Sequence, residues 1–181
     1  MTTEEKSPRC EVRRLDAPTE SQLQSRAEVL IDCVEGGASV SFMQPLSPQR
    51  ALAVWRGVAQ AVERGERALL VAEDATGIVG TVQLVLAQPE NQPHRAEVSK
   101  MLVHRRARRL GLGAALMAAA EHAARDGGKT LLVLDTASSD AERLYTRLGW
   151  RVCGVIPNYA LLPAGGLCAA TFFYRQLELP T

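Results

Sequence analysis

The chain has 181 residues, enough for one compact domain with a sizeable core and too few for two domains of ordinary size, so a single domain with one active site is expected over residues 1–181. Lys and Arg number 21 against 20 Asp and Glu, a formal net charge of +1, which argues against a global field drawing the protein to nucleic acid or an anionic membrane. Met1 to Pro8 is polar and charged with no apolar core like that of a secretory signal, and no later run is long enough to span a bilayer, so residues 1–8 are expected to be flexible and the protein cytoplasmic.

Cys10 to Leu15 is the first strand candidate. Thr19-Glu20-Ser21-Gln22 has capping-box form, and Leu23, Ala27, Leu30 and Val34 follow at helical spacing until Gly36 and Gly37 stop the helix. Ser47-Pro48 opens a second helix whose stripe, Leu52, Trp55, Val58 and Val62, ends at Gly65. Arg67 to Glu73 and Ile78 to Leu86 are rich in Val, Leu and Ile, and the Asp74-Ala75-Thr76-Gly77 segment between them makes a hairpin. Arg95 to His104 reads as a strand, Leu112 to Arg125 as a helix and Thr130 to Thr136 as another strand, a crossover unit. Ser139-Asp140-Ala141-Glu142 forms a second capping box, opening a helix with Ala141, Leu144, Tyr145 and Leu148 on one side and Gly149 at its end. Trp150 to Ile156 and Ala170 to Leu177 close the chain as strands. This order predicts an α/β fold, a mixed sheet with helices on both faces.

Cys10, Cys33, Cys153 and Cys168 lie far apart with no Cys-x-x-Cys pair, and His94, His104 and His122 lack zinc spacing. The cysteines are therefore expected to be reduced packing residues, Cys153 in the core, and no metal is expected.

The informative segment is Met101-Leu102-Val103-His104-Arg105-Arg106-Ala107-Arg108-Arg109-Leu110-Gly111-Leu112-Gly113, a strand end, a basic loop and a helix start. Its chemistry is anion capture: glycines let the backbone approach a phosphate, amides at the helix N-terminus point at it, and arginines add charge-assisted hydrogen bonds. A dinucleotide fingerprint would need a third glycine where Leu116 stands. Gly128-Lys129-Thr130 imitates a nucleotide P-loop, but its first glycine would fall on Ala123 and a strand follows. A solvated arginine cluster capping an ordinary helix is the plainer alternative. Nucleic-acid binding is disfavoured by the near-neutral charge and the lack of aromatic residues among the arginines.

Arg-x-x-Gly-x-Gly after a strand resembles the coenzyme-A loop of the GNAT family of N-acetyltransferases, and Ala141-Glu142-Arg143-Leu144-Tyr145-Thr146-Arg147-Leu148-Gly149-Trp150 is similar to that family's later signature. Gly36-Gly37-Ala38-Ser39-Val40 with Phe42-Met43, Arg95-Ala96-Glu97-Val98 and Leu134-Asp135-Thr136 bring the likeness closest to the tabtoxin-resistance acetyltransferases. The resemblance implies a single-domain GNAT-like fold, with a central mixed, mostly antiparallel sheet and a coenzyme-A-binding β-α-β crossover.

It also implies acetyl-coenzyme A as co-substrate, with Met101, Leu102 and Val103 along the pantetheine and an amide near Met101 or Leu102 polarising the acetyl carbonyl. Arg108 and the amides of Arg109, Leu110, Gly111, Leu112, Gly113 and Ala114 would hold the phosphates, and Ser138 stands where many relatives have a pantetheine-bonding asparagine. Tyr145 matches the general acid; Glu97 and Asp135 are the candidate base, each with a structural role at a strand end as the alternative. The segment from Asp135 to Tyr145 is one residue shorter than in tabtoxin-resistance enzymes. With no cysteine expected near the acetyl group, transfer would be direct, in a ternary complex.

Gly36 to Met43 is either part of the acceptor pocket, with Gly37, Ser39 and Phe42 touching the acceptor, or only a helix stop followed by a packed loop. The implied partner is a small amine, amino-acid-like, a toxin or an antibiotic; a protein N-terminus or lysine, or a non-catalytic acetyl-coenzyme A sensor, are the other readings. An exposed late strand allows a homodimer.

Overall fold

The computed structural model describes residues 10–178, so the segment 1–8 lies outside the described residues. The elements follow the expected order: β1 (Glu11–Arg14), α1 (Glu20–Glu35), α2 (Pro48–Glu63), β2 (Arg67–Asp74), β3 (Gly77–Leu86), β4 (Arg95–Val103), a 3-10 turn at Arg105–Ala107, α3 (Leu112–Asp126), β5 (Leu131–Thr136), α4 (Ser139–Arg147), β6 (Arg151–Leu161) and β7 (Leu167–Gln176).

The caps act largely as the sequence predicts. Thr19 and Gln22 form a reciprocal capping box, the Gln22 N–H donating to Thr19 Oγ1 at 3.3 Å and the Thr19 N–H to Gln22 Oε1 at 2.9 Å. Ser47 caps α2 ahead of Pro48. A side-chain cap of this kind contributes about 1 kcal/mol. The box expected at Ser139 is displaced: Ser138 is the N-cap of α4, its Oγ accepting the Ala141 N–H at 3.3 Å, while the Glu142 carboxylate accepts from Thr171 Oγ1 at 2.6 Å. Ser138 has the extended backbone that a cap requires, whereas Ser139 is already helical.

The seven strands run in the order β1-β2-β3-β4-β5-β7-β6, antiparallel except where β4 and β5 lie parallel on either side of the α3 crossover. Strand alternation supplies two cores. On one face Leu69 and Val71 pack with Leu30, Val34 and Trp55 of α1 and α2; on the other, Leu70, Ala72, Leu84 and Leu132 pack with Leu116 and Met117 of α3 and with Tyr145 of α4. Each fully buried aliphatic side chain contributes about 1.5–3 kcal/mol.

Both last strands are longer than the sequence predicts. β6 continues to Leu161 because Pro157 falls where the β6–β7 register breaks, between Ile156 and Ala160, and an edge strand tolerates a residue without an N–H. Cys153 is exposed on this edge, not in the core as expected, since among the described residues no strand covers β6 on its outer side. Among the described residues no helix is long and apolar enough to cross a membrane.

Candidate active site

β4 and β5 pair only over Arg95–Leu131, Ala96–Leu132 and Glu97–Val133; beyond that β4 stays with β3 while β5 stays with β7, and the two strands splay apart. A bulge between Thr81 and Gln83 of β3 accompanies the splay, and opposite it Lys100 adopts φ 51°, a left-handed conformation that is costly for a side-chain-bearing residue. The His104 N–H donates to Val79 of β3, so by strand alternation the backbone groups of Val103 and Met101 face away from β3 and into the splay.

Past β4 the chain makes a cradle. Arg109 (φ 64°) and Gly111 (φ 78°) have left-handed backbones, and Gly111 caps α3 without a side-chain hydrogen bond. The first amide of α3 with a backbone partner is that of Ala115, donating to Gly111 at 3.1 Å. The six consecutive amides from Arg109 to Ala114 donate to no described residue, and the positive end of a 15-residue helix adds to them. A Cβ on Gly113 would stand 3.0 Å from Leu144 Cδ2, so glycine here lets α4 close against the cradle.

The loop arginines divide into two groups. Arg105 is bound to Asp32 through its backbone N–H and Nε, both at 2.8 Å, and Arg106 to Asp74 at 2.6 Å. Burial pushes the Asp32 carboxyl up, but the hydrogen bonds from Arg105 and the charge of His104 outweigh it and leave the net shift downward. The Arg106 guanidinium holds Asp74 well below the usual carboxylate range. These two pairs anchor the loop to α1 and to the β2–β3 hairpin. Arg108 bends back, its Nε donating to the Val103 carbonyl at 3.0 Å, and Arg109 makes no ion pair with a described residue.

The proton-handling candidates come from opposite faces. Glu97 pairs with Val133, so Asp135, two residues along β5, projects from the same face as Glu97, the face that carries α1 and α2. Burial pushes the Asp135 carboxyl up, countered by the Lys100 ammonium. Tyr145 belongs to the other core, 5% exposed, with Phe173 and Trp150 ring centroids at 5.7 and 6.1 Å. Burial first, then the charge of Asp135, raises its phenol well above its ordinary value, so it stays protonated. The two faces meet at the splay.

A groove of about 1010 Å³ runs along this line, and of the residues expected to be functional it is lined by Gly37, Ser39, Glu97, Met101, Leu102, Val103, Arg108, Arg109, Gly111, Leu112, Gly113, Ala114, Asp135, Ser138 and Tyr145. Leu110 and Phe42 do not line it: Leu110 is 52% exposed, and Phe42 packs against the α1–α2 core with Arg50 over its ring. Among the lining residues that were not anticipated, Cys33 and Lys100 carry reactive groups. Cys33 of α1 reaches the groove wall, contrary to the expectation that no cysteine lies near, but burial pushes its thiol up and away from the nucleophilic thiolate. Lys100 lines the groove with its Nζ 3.0 Å from Ser41 Oγ, and burial lowers its ammonium against the opposing pull of Asp135 and Glu97. A lysine three residues after Glu97, on a strand expected to flank the acetyl group, is the signal that could have flagged it.

The sequence model of the Acetyltransferase (GNAT) family matches residues 38–150, well over half of the chain. An N-acetyltransferase from Staphylococcus aureus superposes with a TM-score of 0.78 at 17% identity, covering 94% of this chain and 99% of that one. A ribosomal-protein-alanine N-acetyltransferase from Brucella melitensis gives 0.78 at 22% identity, with 92% and 99% covered. A GNAT phosphinothricin acetyltransferase from Sinorhizobium meliloti, in complex with AcCoA, gives 0.76 at 18% identity, with 95% and 93% covered. These structures share the fold, and the family match, spanning the loop, the splay and the Tyr145 helix, makes the protein an acetyl-coenzyme A-dependent acetyltransferase of the GNAT family.

Proposed function

We propose that the protein acetylates the amine of a small molecule by direct transfer at the splay between β4 and β5. The observation that carries this reading is the run of six unpartnered amides, Arg109 to Ala114, leading into a groove where Asp135 and Tyr145 converge from opposite faces. Those amides fit the diphosphate of the donor, and Met101 and Val103 present backbone groups to its pantetheine arm. Arg109 adds charge at the cradle. Arg108 would have to leave the Val103 carbonyl for that carbonyl to bond the pantetheine. Ser138, already capping α4, keeps a hydroxyl proton free to donate.

Acetyl-coenzyme A supplies the thioester; the amine nitrogen bonds to its carbonyl carbon as the C–S bond breaks. The Met101 amide polarises the acetyl oxygen as charge builds there. Asp135, its carboxyl raised by burial against the pull of Lys100, takes the proton that the incoming ammonium loses before it attacks, with Glu97 attracting that ammonium; the second nitrogen proton, released as the C–N bond forms, leaves to solvent. Tyr145, protonated throughout the working range, delivers a proton to sulfur. Gly37 and Ser39 wall the acceptor end, Ser39 Oγ donating to the Leu161 carbonyl at 3.1 Å; Phe42 supports this loop from behind.

A homodimer in the cytoplasm belongs to the same reading. Apart from Met43 and Leu110, the exposed large apolar residues all lie on β6, β7 or the turn between them, along a free strand edge. Inactivation of an amine-bearing toxin or antibiotic is the role supported by the tabtoxin-resistance resemblance and by likeness to the phosphinothricin enzyme. Coenzyme-A release over an amine panel that includes peptides, with mass spectrometry of the products, tests the reading: acetylated small amines support it. Acetylation confined to peptides, or tight donor binding without any release, would remove it.

A further inference from the structure

A second, smaller chamber of about 480 Å³ opens on the α1–α2 face and shares Glu97, Ser99 and Lys100 with the groove. Cross-strand register builds its floor: Arg67, Val85 and Glu97 stand in one row and Gln83 and Ser99 in the next, all on one face. Val54, Gly57 and Val58 of α2 form the roof. A Cβ on Gly57 would meet nothing within 4 Å, so the roof is open at this point.

The charges in this chamber are unbalanced. Arg67 Nη1 donates to Gln83 Oε1 at 2.7 Å and the guanidinium makes no ion pair with a described residue. Among the described residues Lys100 donates only to Ser41 Oγ. The Arg67 charge is near enough to work against protonation of Lys100, whose ammonium is in turn drawn by Asp135 across the groove and by Glu97, so of the two cations facing this space Arg67 is the one left without a carboxylate. A guanidinium without an ion-pair partner beside apolar walls is costly unless an anion joins it, and the planar Arg67 group still has N–H groups to offer a carboxylate.

We infer that this chamber is the acceptor's anion subsite, in which Arg67 and Lys100 bind a carboxylate carried by the amine substrate, while Val54, Val58 and Val85 receive its aliphatic part. The inference rests on the acetyl-transfer reading and narrows the acceptor class to amino acids and short peptides with a free carboxylate. Lys100 joins the chamber to the Gly37–Ser41 loop through its bond to Ser41 Oγ.

Matched acceptors read the subsite. Wild type is assayed with aliphatic amino acids and their decarboxylated amines, L-leucine against 3-methylbutylamine being one pair, and kcat/KM for the acid is expected to exceed that for the amine at least 10-fold. Arg67→Gln and Lys100→Met should each reduce that ratio at least 10-fold, with Arg67→Lys restoring part of it. An unchanged ratio in folded variants, or no preference in wild type, overturns the subsite. In parallel, 4-methylvalerate is titrated into the acetyl-coenzyme A-saturated protein, read by the Gln83 side-chain amide NMR signals. A saturable shift that needs at least 10-fold more ligand in Arg67→Gln is expected, and no shift overturns the inference. Carboxylate binding without coenzyme-A release from any amine would instead sink the acetyl-transfer reading and leave the subsite standing. Turnover of neutral amines without carboxylate binding would do the reverse.

Discussion

In the proposed transfer, Tyr145 and Asp135 carry opposite demands. As the proposed acid, Tyr145 has to keep its proton until sulfur needs it, and its burial among Phe173 and Trp150 favours this. Tyr145→Phe retains the ring and its packing, so kcat should fall about 100-fold, within the range for general acids, while the melting temperature stays within about 2 °C. Asp135 must lose its proton first. Its carboxyl is raised by burial, so kcat/KM should rise with pH through a value above the ordinary 3.8, and Asp135→Asn should remove that acidic limb. The same shift has a consequence for stability. A carboxyl raised in the folded state binds protons more tightly than in the unfolded chain, so ionising it destabilises the fold as pH rises through that window. Asp135→Asn should therefore be no less stable than wild type at pH 7 by thermal melting while being nearly inactive, a pairing that a merely structural aspartate would not give.

At the scale of elements, the cradle between β4 and α3 is the part most exposed to backbone change. Gly111 has φ 78° and open space around it, so Gly111→Val is refused by backbone and not by crowding. The left-handed conformation costs a β-branched residue about 1–2 kcal/mol. Calorimetry should show acetyl-coenzyme A binding weakened about 10-fold, with modest loss of stability. Much of this element was legible in advance, because Arg108 to Gly113 between a strand and a helix has few physical uses. The capping box at Thr19 and the hairpin around Thr76 were equally plain, since each is decided by residues a few positions apart. What stayed hidden depends on distant partners. Arg105 and Arg106 look like phosphate ligands until Asp32 and Asp74 come to meet them from other elements. Lys100 gains its strained backbone from a register mismatch with β3, which no local pattern records. The Ser138 cap was missed because two adjacent serines offer the same chemistry and only the entry angle of the chain selects between them.

Across the whole molecule, the proposed transfer divides between the two faces of one sheet: α3 and α4 pack on the face of the donor cradle, and α1 and α2 on the face of the chamber proposed for the acceptor. The outer edge at β6 is the unfinished part of this plan. A homodimer through that edge predicts a mass near twice the 19.6 kDa chain by light scattering, and Val155→Glu should yield the monomer. The sequence indicated a late exposed strand but not its length or the outward position of Cys153, because burial at an edge depends on which strand happens to be last in the sheet. Transfer itself is tested most directly by initial rates of coenzyme-A release with acetyl-coenzyme A and an amine acceptor both varied. Direct attack in a ternary complex predicts reciprocal plots that intersect; parallel lines, together with an acetylated enzyme trapped in the absence of amine, would contradict it.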